Sequence, residues 1–180
     1  MPISEIMTLT AKELIHVVTW VKQAQANKRN HKVNDQIYAK SLGSEGIALM
    51  GKCGEVIAAR YYGVQPDWNI YIGADNGNDL HIHRKKTEIK TSTQRNLIIN
   101  DPAHNRYGIW KPDTEICILV HCNRPPKTAI TISTTTEFQI VGAINRDEFF
   151  RIAQKRDYGY GPRLVATEQQ LHGNEIFQIK

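Results

Sequence analysis

Cysteine is scarce, with three thiols in 180 residues, at Cys53, Cys117 and Cys122. An odd and small number excludes a disulfide framework, so burial rather than cross-linking must hold the fold. The thiols read as reduced ones, which makes the cytoplasm the expected compartment. Long apolar runs are lacking too. No stretch approaches the roughly 20 residues a membrane-spanning helix needs, so no membrane partner is expected. The opening MPISEIMTLTAKE carries acids where a secretion signal carries bases. Internal repeats, low-complexity tracts and composition shifts are missing as well. The chain therefore reads as one domain, long enough to bury a core.

Positive charge is in excess, with a net charge of +5, a weak pointer to polyanionic partners. Its distribution says more. Lys28, Arg29, His31 and Lys32 form one basic run, His83 to Lys86 a second, and Arg151, Lys155 and Arg156 a third. Any one of these is as readily a solvated turn or helix face. Three together favour a phosphate-facing surface.

Thr10 with Glu13 is a capping-box pattern, and Leu14, Val17, Val18 and Val21 follow at helical spacing. This predicts a helix from about 11 to 27. A polar loop from Asn27 to Asn34 and a short helix near Asp35 to Lys40 are expected next. A second long helix starts at Ser44 and is stopped by Gly63. Trp68 to Ile72 reads as a strand, followed by a turn at Asn76-Gly77. Asp79 to His83 and Thr87 to Thr93 alternate in polarity and read as antiparallel strands joined by a tight turn. Ile116 to His121 is nearly continuous in apolar character, the pattern of a strand covered on both faces. Ala129 to Ser133 and Phe138 to Ile144 are further strand candidates. Asn145 with Glu148 opens a helix over about 146 to 155. A Gly-Tyr-Gly-Pro loop at 159–162 follows, and Thr167 with Gln170 begins a short final helix. The expected fold is α/β (α+β), a central mixed sheet flanked by helices. An N-terminal helical segment spans about 1–43, a core about 44–155, and a C-terminal loop and helix about 156–180.

Chemistry concentrates in the strand pair. Alternate side chains share a face, so Glu88, Lys90 and Ser92 lie together, as do Asp79, His81 and His83. With the turn centred between Arg84 and Lys85, Asp79 lies opposite Lys90 and His81 opposite Glu88, with Cβ atoms about 5 Å apart. Two carboxylates and an ammonium then converge. Carboxylates held close repel, and a hard cation such as Mg²⁺ offsets this while keeping waters and accepting phosphate oxygens. The bland alternative is a surface hairpin with an Asp79–Lys90 ion pair worth under about 1 kcal/mol. On the preceding helix, Ser44, Ala48, Gly51, Glu55, Ala59 and Tyr62 share a face. Glu55 is the acid in that stripe of small residues, and its bland alternative is an ion pair with Lys52 or Arg60. Gly51 and Gly54 each cost about 1 kcal/mol of helix propensity, which close packing against the sheet would offset.

The segments GKCGEVIAARYYG and GNDLHIHRKKTEIKTSTQ resemble the core of the PD-(D/E)xK nuclease superfamily, the restriction-endonuclease-like fold. Glu55 matches its helix acid, Asp79 its strand acid and Glu88-Ile89-Lys90 its tripeptide, although no proline precedes Asp79. The resemblance covers about residues 44–155. It implies a Mg²⁺-dependent endodeoxyribonuclease, with Mn²⁺ able to substitute, that leaves 5′-phosphates. Restriction, junction-resolving and phage or homing nucleases all fit. By it, Asp79, Glu88 and the Ile89 backbone carbonyl would ligate the ion, Glu55 would bind or orient a second ion or its water, and Lys90 would activate or position the attacking water. Gln94 would orient water or contact phosphate, while Lys28, Arg29, Lys32, Arg84, Lys85 and Lys86 would bind nucleic acid. DNA is the implied partner. A homodimer is implied too, since cutting both strands takes two sites.

Two other readings compete. His81-x-His83 with Glu88 resembles the first cupin motif, a metal-binding β-barrel. A nuclease-like DNA-binding protein without catalysis is the other. Cys117, His121 and Cys122 could suggest zinc, but neighbours on a strand point to opposite faces, so structural thiols are expected. The tyrosines of Tyr158-Gly159-Tyr160 are candidates for contacts to phosphate or bases.

Overall fold

The computed structural model describes residues 5–31, 43–71, 79–104, 110–111, 113–123, 132–159 and 161–177. Thr10 caps the first helix, α1 (Ala11–Asn30), with both halves of the capping box formed. The helix continues past the loop expected from Asn27 because Asn27 to Asn30 carry no breaker. Its buried residues Val17 and Val21 share a core with the second helix, α2 (Gly43–Tyr62). Gly63 takes a left-handed φ of +67°, and Val64 N–H donates to the Ala59 carbonyl at 2.9 Å. This is the glycine stop anticipated from the sequence.

Two sheets follow. The first comprises β1 (Leu80–Ile82), β2 (Lys85–Ser92), β4 (Ile116–Asn123) and β5 (Glu137–Asn145), in the order β1-β2-β4-β5. It is mixed: β1 and β2 are antiparallel, β2 and β4 parallel, β4 and β5 antiparallel. The second sheet has β3 (Leu97–Asn100), β6 (Gln154–Asp157) and β7 (Pro162–Ala166), in the order β3-β7-β6. The fold is α+β, with a mixed sheet flanked by helices as expected.

The alternation of β4 explains the layering. Ile118, Val120 and Cys122 face α1 and α2, whereas Cys117 and Leu119 join Leu97, Trp110, Phe149 and Ala166 on the other side. Cys117 and Cys122 therefore belong to separate cores, as structural thiols should. On this second side lies α3 (Arg146–Ile152), whose cap Asn145 accepts the Glu148 N–H at 2.8 Å. It stops three residues short of the expected end because β6 claims Gln154 to Asp157. Thr167 and Gln170 form their capping box around a single 3-10 turn, Glu168–Gln170.

Three expectations need correction. Trp68 to Tyr71 form no strand; the Trp68, Asn69 and Tyr71 carbonyls accept from Trp20 and Asn27 of α1 instead, and the Trp68 ring meets His16 of α1 and Lys52 of α2. Ile132 and Ser133 are likewise not in a strand. The hairpin register is displaced by two residues: Leu80 pairs with Thr87, His81 with Lys86 and Ile82 with Lys85. The turn is His83-Arg84, both at positive φ (49° and 68°), the two-residue geometry that matches strand twist. The expected helix at 35–40, the Asn76-Gly77 turn, Lys32 and Tyr160 lie outside the described residues.

Candidate functional site

The displaced register brings the two strand acids closer together. Asp79 precedes Leu80, the partner of Thr87, so it stands beside Glu88 rather than Lys90. Its backbone N–H still donates to the Thr87 carbonyl at 3.1 Å, but regular pairing ends there. The next amide along the edge of β2, that of Ile89, would otherwise seek a carbonyl from a longer β1. It donates to Asp79 Oδ2 at 2.6 Å instead. The carboxylate thus takes the place of a strand acceptor, at the edge of the sheet rather than on one face with His81. Paired residues in a strand present N–H and C=O to the same edge, so the Ile89 carbonyl points toward Asp79 as well.

Glu88 and Lys90 lie on the side of β2 that continues into Cys117 and Leu119, their partners on β4. Lys90 Nζ donates to Glu88 Oε1. The Glu88 side chain is 9% exposed, and its other oxygen, Oε2, is buried without a hydrogen-bond partner among the described residues. A buried carboxylate oxygen left in that state carries a substantial desolvation cost.

Glu55 comes from α2, on the opposite layer. Gly54, beside it, is where helix and sheet touch: a Cβ there would meet Thr91 Oγ1 at 1.8 Å. The expectation of close packing therefore holds at Gly54, whereas Gly51 has open space around its Cβ position. Glu55 is paired with Lys52, whose Nζ donates to Glu55 Oε2 and to the Asp67 carbonyl. Arg60 instead reaches Glu13 at 2.9 Å. Glu55 nevertheless acts on Asp79. The Asp79 carboxyl is raised well above its ordinary value, first by burial, then by the charge of Glu55. Glu88 adds to this, while the Ile89 amide and Lys90 oppose it. Burial pulls the Lys90 ammonium down, but Glu88, Cys117 and Asp79 together outweigh it and raise its pKa. Burial and the Glu88 charge likewise push the Cys117 thiol up.

Asp79 is thus within electrostatic reach of Glu55, Glu88 and Lys90. Among the described residues no group of three or more His, Cys, Asp or Glu side chains forms a ready-made metal cage. The donor set suits Mg²⁺ all the same, since that ion is commonly held by one or two carboxylates and keeps its waters. The unpartnered Glu88 oxygen is the atom such an ion would satisfy.

Other candidates lie elsewhere. Gln94 is exposed just beyond β2, its N–H donating to Ser92 Oγ at 2.9 Å. Arg84 sits in the hairpin turn, and Lys85 and Lys86 pair with Glu115 and Asp113 at 3.6 and 3.2 Å. Lys86 is about 13 Å along the strand from Lys90, so this basic tip is at the far end of the hairpin from the acids. Lys28 and Arg29 occupy the last turn of α1. His81 is exposed opposite Lys86 and His83 is in the turn, so neither histidine stands across from Glu88. The described strands form open sheets rather than the barrel that a cupin needs. Lys52 was not anticipated as part of the site except as a bland partner for Glu55. Its signal, a lysine three residues before the helix acid, is too common to stand out.

Among the described residues, no helix is long and apolar enough to cross a membrane. No protein-family model, curated protein or solved structure matches the chain.

Proposed function

We propose that the chain is a Mg²⁺-dependent endonuclease of the PD-(D/E)xK kind, hydrolysing phosphodiester bonds of DNA. The observation that carries this reading is the buried Glu88 Oε2, unpartnered among the described residues, in a group where Asp79 is under pressure from two other carboxylates. Nothing in ordinary folding favours such an arrangement. A divalent cation relieves both strains at once.

Asp79, Glu88 and the Ile89 carbonyl would hold the ion, and Mn²⁺ suits the same oxygen donors. Bound Mg²⁺ supplies Lewis-acid charge neutralisation at a phosphodiester. Lys90 contributes the fixed cation. Its neighbours favour the ammonium form, so its role is to position water by donating N–H and to stabilise negative charge growing on phosphorus, rather than to act as a base. With its side chain 31% exposed, Lys90 is open to a substrate from solvent. Glu55 orients water at the rim. Cutting both strands of a duplex calls for two such sites, hence two copies of the chain.

Plasmid, single-stranded and four-way-junction DNA should be incubated with the protein, with and without Mg²⁺. Cleavage of at least one substrate should require the metal. Asp79→Ala and Lys90→Ala should keep DNA binding and lose cleavage. Wild-type cutting rates in both variants would sink the site assignment.

A further inference from the structure

At the turn end of the hairpin, away from Asp79, three elements meet around a cleft of about 660 Å³. The last turn of α2 supplies Tyr61 and Tyr62, and the β1–β2 turn supplies His83. The 3-10 turn Asn174–Phe177 supplies Asn174 and Phe177. Tyr62 stands edge-on to Tyr61 at 4.9 Å and to Phe177 at 5.1 Å, and His83 lies 6.0 Å from Phe177. One amide ties the tyrosines down: Asn174 Nδ2 donates to Tyr61 Oη at 2.9 Å, and Asn174 Oδ1 accepts from Tyr62 Oη at 3.1 Å. Rings held this way lose little freedom on meeting a ligand. His83 and Arg84 are both exposed and hold left-handed angles of 49° and 68°, which Asn-Gly would adopt with less strain. Residues that cost the turn stability point to a use for their side chains. Arg84 makes no ion pair among the described residues. Lys85 and Lys86 beside it are engaged only in partly exposed pairs, with Glu115 and Asp113, which a phosphate can displace. Glu175, the acid of the 3-10 turn, is folded back onto the Gly173 N–H at 2.9 Å.

We propose that this cleft is a stacking subsite for an unpaired base of a DNA strand, with Arg84 on the adjacent phosphate. Every base offers a π-face to such rings, and a cation beside them takes the backbone. A base inside a duplex has both faces covered by its neighbours and cannot enter. His83 is about 13 Å along the strand from Asp79, at most about four nucleotides at roughly 3.4 Å each. The inference deepens the nuclease reading and rests on it for the choice of DNA. The substrate it names is single-stranded within a few nucleotides of the cut, as flaps, gaps and junctions are and continuous duplex is not.

The test measures binding to the whole protein in chelator, so that nothing is cut, by fluorescence anisotropy of labelled oligothymidylate and of blunt duplex of equal length. Wild type should bind the single strand more tightly than the duplex. Tyr61→Leu and His83→Asn should each weaken strand binding by about 5- to 150-fold, the worth of one stacked base, and leave duplex binding little changed. His83→Asn combined with Arg84→Gly suits the turn, so this variant should melt about 2–4 °C higher. It should nevertheless bind the strand more weakly, with a salt dependence shallower by about 0.7. Misfolding cannot produce lost binding together with gained stability. Wild-type strand binding in the double variant, or a wild type that prefers duplex, overturns the inference. Should the double variant melt lower, Tyr61→Leu, which leaves the turn untouched, decides alone: unchanged strand binding overturns the inference there too. A wild type that binds neither form of DNA removes the nuclease reading along with it. One that binds strands as expected but cuts nothing with Mg²⁺ defeats only the nuclease reading. One that cuts DNA while its variants keep full strand affinity defeats only the stacking subsite.

Discussion

Gly54 on α2 meets Thr91 on β2 so closely that no side chain fits between them: a Cβ at 54 would lie 1.8 Å from Thr91 Oγ1 and 2.9 Å from Thr91 Cβ. This contact sets the depth at which the helix carries Glu55 toward the sheet edge. Gly54→Ala gains about 1 kcal/mol of helix propensity, but overpacking costs about 1–3 kcal/mol or more. Overpacking wins, because a threonine side chain is short and has little room to yield. A melting temperature lower by about 2–8 °C is expected, with cleavage reduced beyond what the lost stability explains. Adding Thr91→Ala should recover part of both, since it removes the nearer obstacle and leaves the Cβ.

Asp79 is strained by the charges around it, and its replacement should reveal the strain. Its carboxyl is raised above the ordinary 3.8 by burial, Glu55 and Glu88. The folded protein therefore holds this proton more tightly than the unfolded chain. The resulting stability is present in acid and lost as pH rises from about that ordinary value through the higher folded one. Without divalent ions, Asp79→Asn should melt higher than wild type at pH 7 to 8, and the gap should close toward pH 4. The amide can still accept the Ile89 N–H. Cleavage should fall by at least a hundredfold, on the order of what one transition-state electrostatic group contributes. Equal melting temperatures in chelator at pH 8 would argue against the strain.

The local signals were legible and the non-local ones were not. Thr10 and Asn145 declare helix starts by pairing with residues three positions on, and Gly63 declares a stop. Such patterns need no knowledge of the rest of the chain. The hairpin register was harder, because His83 and Arg84 adopt left-handed turn angles without the Asn-Gly pattern that marks such turns. The second sheet was invisible for other reasons. β6, Gln154 to Asp157, is exposed at every position, so it has no apolar alternation, and β7 opens with Pro162, tolerated at the first position of a strand. Trp68 suggested a strand by its composition, but its ring encloses Lys52. At the site, the Glu88-Ile89-Lys90 spacing could be read directly. The edge placement of the Asp79 carboxylate could not, since it depends on where β1 stops pairing.

Away from the site, Asp101 should govern part of the acid limb of stability. It accepts from Lys155 Nζ at 2.9 Å, Ala103 N–H at 3.0 Å and His104 Nδ1 at 3.1 Å. These partners, Lys155 first, hold its carboxyl below the ordinary 3.8. For a depressed carboxyl the stability is present above the unfolded value and lost as pH falls through the folded one. Asp101→Asn should therefore lower the melting temperature at pH 7, and the difference from wild type should shrink below about pH 4. A difference independent of pH would mean that shape rather than charge matters there.

Lys90 offers the sharpest separation of folding from chemistry, because it is the ammonium bound to Glu88 and also counters Asp79. Lys90→Met keeps the stem and removes that charge. The metal-free protein then holds Asp79 and Glu88 without the ammonium that countered them, and removing one partner of a mostly buried pair costs about 3–5 kcal/mol at the buried limit. Partial exposure of Lys90 discounts this to roughly 1–3 kcal/mol. Mn²⁺ should restore more stability to this variant than to wild type, because the ion meets a more negative site, while DNA cleavage stays lost. Thermal melts with and without Mn²⁺ measure the first effect and plasmid nicking the second. If Mn²⁺ stabilised wild type and Lys90→Met equally, Lys90 and the ion would not share the same carboxylates, and the ammonium would have to be placed outside the metal site.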